Sequence, residues 1–112
     1  MEIDRETLKY IFMAIRECFK RSKTYDNSIN NFLSKSTGPR GGKRFRCAVC
    51  NGIFEKKDIE MDHYPEPVVP LTKRWYELTV QEYYDRVFLL NTRSLCKKCH
   101  KTHTKDQNKT RR

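Results

Sequence analysis

Residues 89–100 read LLNTRSLCKKCH. The cysteine pair inside this stretch, Cys96 and Cys99, repeats the spacing of an earlier pair, Cys47 and Cys50, in CAVC. Two cysteines three residues apart in a tight turn aim both sulfurs at one point. Two such knuckles complete a tetrahedral sulfur shell, the donor set of structural zinc. The alternative is two unrelated buried or reactive pairs. A chain of 112 residues buries only a modest core, so a metal staple is physically useful. The 45 residues between the knuckles exceed a minimal zinc ribbon and leave room for a functional insert.

The composition sets the class. The 24 Lys and Arg outnumber the 14 Asp and Glu, a formal charge of +10. An excess of that size suggests a polyanionic partner, with DNA the first expectation. It is unevenly placed: residues 35–46 carry five basic groups and no acid, and residues 96–112 carry seven basic groups and one acid. The start, MEIDRETLK, is charged rather than a signal sequence, and no apolar run approaches the ~20 residues of a membrane span. A cytoplasmic protein with no membrane partner is therefore expected. In that reducing setting, paired C-x-x-C motifs favour metal over disulfide.

Working outward, the region before the first knuckle reads as helical. Asp4 caps a segment in which Leu8, Ile11, Phe12, Ile15, Cys18 and Phe19 follow one helical stripe. Cys18 is read as a small buried hydrophobe on that stripe. A second short helix is expected around Ile29, Phe32 and Leu33, then a break at residues 38–42. Ile53-Phe54 and Ile59–His63 are expected to form a hairpin around the polar EKKD. Strand parity puts Ile59, Met61 and His63 on one face and Glu60 and Asp62 on the other. Thr79 and Glu82 form a capping box before the stripe Val80, Tyr83, Tyr84, Val87 and Phe88, and this helix ends near Leu90-Asn91. A last helix starts in or after the second knuckle and carries His100 and His103, followed by a frayed basic tail. The expected organisation is an N-terminal helical segment (1–34), a basic linker (35–46), a zinc-stapled domain (47–105) and a tail (106–112).

Between the knuckles stand Asp62-His63 and Asn91, and His100 follows the second knuckle directly. The elements CAVC, MDH and LLNTRSLCKKCH, in this order and spacing, resemble the HNH endonucleases of the His-Me-finger (ββα-metal) class. The variant they are most similar to carries the nuclease motif between two zinc knuckles, as in small bacteriophage and prophage HNH proteins. The resemblance covers about residues 44–104 and leaves the N-terminal helices outside it.

The resemblance implies an α+β fold: a small ββα-metal core stapled by a four-cysteine zinc site, preceded by helices. It implies DNA phosphodiester cleavage with Mg²⁺ or another divalent ion. Carried over by position, His63 is the general base, Asp62 and His100 are ligands of the catalytic ion, and Asn91 orients the base or its loop. The residue types suit these tasks: a neutral imidazole accepts a proton from water near pH 7, and a carboxylate and an imidazole hold a divalent ion with positions left for phosphate oxygens. His103 is a possible extra ligand, or a solvated helix-face histidine. Arg40, Lys43, Arg44 and Arg46 are candidate DNA-backbone contacts, as is Arg93 for the scissile phosphate. Blander readings stay open. Asp62-His63 can be a surface strand end, His100 a cap-region histidine, Asn91 a left-handed helix terminator, and Trp75 a core anchor. Two other functions compete: a non-catalytic zinc-binding DNA adaptor, for example of a phage packaging terminase, and an interaction module built on the first helix.

Overall fold

The computed structural model describes residues 2–35 and 41–111. Four helices and two small antiparallel sheets make an α+β arrangement. Helix α1 (Arg5–Lys20) starts at Asp4, whose carboxylate accepts from the Thr7 N–H at 2.8 Å. Helix α2 (Lys23–Asn30) is capped by Ser22 and ends before Phe32, earlier than the apolar spacing suggests. Cys18 is exposed rather than buried. At ~100° per residue it falls roughly 100° from the centre of the stripe set by Leu8, Phe12 and Phe19, beyond the buried edge.

Strands β1 (Arg44–Arg46) and β2 (Ile53–Glu55) pair across the first knuckle. Residues 44–46 of the expected linker are therefore a strand. Strand β3 (Ile59–His63) pairs with β4 (Thr92–Cys96), not with β2, which corrects the expected hairpin. The reason is turn chemistry. Asn51 holds φ 61° next to Gly52, a pairing that closes a tight hairpin, whereas Lys56–Asp58 form only a short 3-10 turn that carries the chain out of the β1–β2 sheet.

Helix α3 (Val80–Leu89) lies between β3 and β4 in sequence and starts with the expected Thr79–Glu82 capping box. Helix α4 (Lys97–Thr110) follows β4 without a break. The tail is not frayed: α4 runs through to Thr110, and Arg111 Nη1 donates to the carbonyls of Val69 (3.2 Å) and Pro70 (3.1 Å).

Two apolar cores flank the β3–β4 pair. One joins α1 to α3 through Leu8, Phe12, Phe19, Leu78, Tyr83 and Val87; Phe12 stacks on Tyr83 at 3.9 Å, and Trp75 meets Phe12 edge-on, as an anchor should. The other gathers Ile29, Phe45, Ile59, Met61, Leu95 and two of the cysteines. The N-terminal helices thus belong to the same packed body as the knuckles. No helix among the described residues is long and apolar enough to cross a membrane.

Candidate functional site

The first element of the site is the sulfur cluster. Cys47, Cys50, Cys96 and Cys99 place their sulfurs within 4.8 Å of one another. Tetrahedral zinc with ~2.3 Å Zn–S bonds separates its sulfurs by ~3.8 Å. Cys50 and Cys96 stand 3.9 Å apart, close to that spacing, so the donor set suits that metal. The knuckles are built locally. The Asn51 N–H returns to the Cys47 carbonyl at 3.0 Å, the Cys47 N–H bonds the Gly52 carbonyl at 2.9 Å, and Cys96 is the N-cap of α4. Strand β4 then ties knuckle to knuckle, because the Ala48 N–H bonds the Ser94 carbonyl at 2.8 Å. Burial pushes the Cys47 thiol up, but backbone N–H groups at Cys50, Cys96 and Val49 outweigh it and bring it down to about 6. The Cys96 sulfur, with burial, pushes Cys99 up to about 12, which is the expected asymmetry of four crowded sulfurs sharing negative charge.

The second element lies where β3 ends. Parity holds: Ile59 and Met61 enter the core, while Glu60 and Asp62 face α4. Asp62 is 7 % exposed and His63 5 %. Despite opposite parity, both line one cavity of about 290 Å³, together with His100 and Thr104 of α4. The strand stops at His63, whose buried side chain borders both this cavity and the α1–α3 core.

The His63 ring is held between α1 and α3. Its Nε2 stands 2.8 Å from the Val87 carbonyl, and Phe19 lies 5.5 Å from its ring. A carbonyl only accepts, so Nε2 carries the proton and Nδ1 is the basic nitrogen. Burial lowers the His63 pKa below 6.5, helped by the Arg16 and Arg86 charges and opposed by the Val87 carbonyl and Asp62. The ring is therefore neutral at pH 7. The exposed Asn91 acts through its backbone: its carbonyl accepts from the Tyr64 N–H at 2.9 Å and fastens the residue after His63 to the start of β4. The imidazole tautomer is held by the Val87 carbonyl, while Asn91 ties down the loop after His63. Asn91 is also not in the left-handed region, which removes the helix-terminator reading.

Around Asp62 the structure gathers three partners. His100 Nε2 lies 3.8 Å from Oδ1, His103 Nε2 3.4 Å from Oδ2, and Arg93 Nε 3.4 Å from Oδ2. His103 is thus beside the carboxylate rather than solvated on the outer face, with Gln107 Nε2 at 3.1 Å from the same ring nitrogen. Arg93 is half-buried, pairs with Asp62 and lies 3.7 Å over the Tyr64 ring, so in this arrangement it faces a carboxylate rather than open solvent. Glu60 was missed from the sequence. Its Oε2 lies 2.5 Å from His100 Nδ1, which puts the proton on Nδ1 and turns the Nε2 lone pair toward Asp62. The only signal for it was parity, Glu60 sharing Asp62's face.

Ligand atoms around one divalent ion with ~2.1 Å bonds sit roughly 3–4 Å apart. The Asp62–His100 and Asp62–His103 separations fall in that span. The cysteines form the tighter set: among the described residues they are the one group of three or more such side chains with all ligand atoms within 4.8 Å.

The remaining basic candidates divide. Arg40 lies outside the described residues. Lys43 is exposed, Arg46 is exposed with Nη1 3.1 Å from Asn51 Oδ1, and Arg44 is half-buried with its Nε buried and unpartnered. Helix α4 adds exposed Lys97, Lys98, Lys101, Lys105 and Lys109 against the single acid Asp106. No protein-family model matches the chain, and no curated protein or solved structure matches it.

Proposed function

We propose that this protein is a metal-dependent DNA endonuclease of the HNH type, held in shape by a structural zinc on Cys47, Cys50, Cys96 and Cys99. The observation that carries the reading is the meeting of Asp62, His63 and His100 on one cavity, at the end of an antiparallel strand pair that runs straight into a helix. That β3–β4–α4 order is what the resemblance implies of a ββα-metal core.

In this reading Asp62 and His100, with His103 beside them, hold one divalent ion. Bound there, such an ion would supply positive charge to the reacting phosphate. The Val87 carbonyl holds His63 in the tautomer whose Nδ1 removes a proton from the attacking water. Glu60 fixes the His100 ring so that Nε2 is the ligating atom. The lysines of α4 supply backbone contacts, so sequence preference is expected to be weak.

A second reading has its own support. His63 and Asp62 are both nearly buried, and Asp62 already pairs with Arg93, which suits a non-catalytic zinc-binding DNA adaptor such as one serving a phage terminase. Supercoiled plasmid incubated with purified, zinc-loaded protein and Mg²⁺, Mn²⁺ or Ni²⁺ separates the two. The nuclease reading expects nicked or linear product from wild type and none from His63→Ala, with DNA binding retained in both. Intact plasmid in every metal, from protein that holds zinc and binds DNA, leaves the adaptor.

A further inference from the structure

Four arginines surround Asp62 and His63, and three already have protein acceptors. Arg93 pairs with Asp62. Arg86 donates through Nε to the Val68 carbonyl at 2.5 Å and through Nη2 to the Pro67 carbonyl at 2.8 Å. Arg111 donates to the Val69 and Pro70 carbonyls. The fourth, Arg16 of α1, is exposed, lines the same cavity as Asp62, His63 and His100, and has no hydrogen-bond or ion-pair partner among the described residues. Asp62 is the one carboxylate lining that cavity, and it already faces Arg93, His100 and His103.

The position of Arg16 is not loose. It lies four residues after Phe12 and three before Phe19, at the border of the buried face of α1. Phe12 is stacked on Tyr83, and Phe19 touches both His63 and Phe88, so the helix cannot turn without breaking the α1–α3 core. A guanidinium carried by a packed helix to the rim of a cavity is well placed for a doubly accepting anion such as a phosphodiester.

We propose that Arg16 is a DNA-binding residue that donates to a backbone phosphate beside the one held at Asp62 and His63. Helix α1 is then part of the substrate surface, although it lies outside the stretch that resembles HNH nucleases. The inference rests on the nuclease reading above, and it gives the N-terminal segment a role in that same site.

The test compares wild type with Arg16→Ala, Arg16→Gln and Arg16→Lys, and with Arg5→Ala, whose guanidinium stacks over Tyr76. Binding of a short DNA duplex to zinc-loaded protein is measured by anisotropy across a salt series without added divalent ion, and plasmid nicking is followed with Mg²⁺ or Mn²⁺. Arg16→Ala and Arg16→Gln are expected to bind about 3–10-fold more weakly at low salt, with the log K against log[salt] slope shallower by ~1. KM should rise more than kcat falls. Arg16→Lys should recover most of the affinity, Arg5→Ala should behave as wild type, and zinc content should stay unchanged in all. Wild-type affinity and slope in Arg16→Ala and Arg16→Gln, with wild type binding and nicking, overturn the inference and leave the nuclease reading standing. A wild type that neither binds nor nicks DNA overturns both.

Discussion

The two donor clusters of this molecule are built on opposite plans. The four cysteines come from two local pieces, a turn closed by backbone hydrogen bonds and a helix start where Cys96 Sγ accepts from the Cys99 N–H, and their sulfurs all lie within 4.8 Å of one another. The Asp62 cluster comes from β3, β4 and α4, and protein groups partner its members: Arg93 and His103 on Asp62, Glu60 on His100. One cluster is like-charged and needs a cation to exist as a compact group. The other sets two carboxylates against one guanidinium, and its own side chains already partner each carboxylate. A structural metal suits the first plan and an exchangeable one the second.

The sharpest way to break this contrast is to remove the sulfurs. Cys96→Ser or Cys47→Ser, or chelation, should unfold the protein or leave a collapsed state, because two cysteines are part of the core with Ile59, Met61 and Leu95. Structural zinc contributes ~10–16 kcal/mol in small zinc domains, which rivals the ~5–15 kcal/mol that a whole domain has. Circular dichroism and zinc content report it. Stripping of a Mg²⁺-type ion should, by contrast, leave the melting curve almost unchanged. A zinc-free protein that melts like the wild type would end the distinction between the clusters.

The next largest effect should fall on chemistry alone. On the nuclease reading, His63→Ala is expected to lower nicking by roughly 10²–10⁴-fold, the usual share of a general base, without loss of zinc. Because burial holds the His63 pKa below 6.5, the wild-type rate should be flat near pH 7 and fall as pH drops through that lowered value, where the ring takes up a proton. A rate that rises on acidification would assign the base elsewhere.

How much of this was legible follows the same division. The cysteine cluster was readable because each half is a three-residue spacing that folds on itself. The caps at Asp4 and Thr79 were readable for the same local reason. The partner of β3 was not, since β4 returns only after the intervening α3, and EKKD looked like the nearest turn. Asp62, His63 and His100 were named, but what orients them was invisible. Val87 contributes a carbonyl, which every residue has, and Glu60 matters only because α4 crosses its face. Cys18 failed at the edge of a stripe, where tens of degrees decide burial.

Glu60 gives a finer test of the second plan. On the nuclease reading, Glu60→Ala should weaken binding of the proposed divalent ion about 10–100-fold, the common range for carboxylates behind ligating histidines, and leave zinc affinity alone. Glu60→Gln, which can still accept at Nδ1, should recover part of it. Mn²⁺ titration followed by nicking rate and by calorimetry separates the two variants. Equal loss in both would mean that the negative charge, not the hydrogen bond, is what His100 needs.

The smallest expected effect concerns the helix that orients His63. Thr79 caps α3 by accepting from the Glu82 N–H at 3.0 Å, while Glu82 accepts from the Thr79 N–H at 2.9 Å. Thr79→Ala should cost about 1 kcal/mol in denaturant unfolding. The backbone and side-chain hydrogen bonds of Thr79 hold the Glu82 carboxyl below its ordinary 4.5, so its contribution is complete above that value and is lost as pH falls through the lowered folded value. In Thr79→Ala this acid-side loss should shrink, since the side-chain partner is gone. The cap lies eight residues before Val87, at the far end of α3 from the carbonyl that holds His63. Zinc affinity should therefore be unchanged in Thr79→Ala, and nicking should fall only in proportion to the folded fraction. A drop in zinc affinity would mean that the two clusters share one cooperative frame after all.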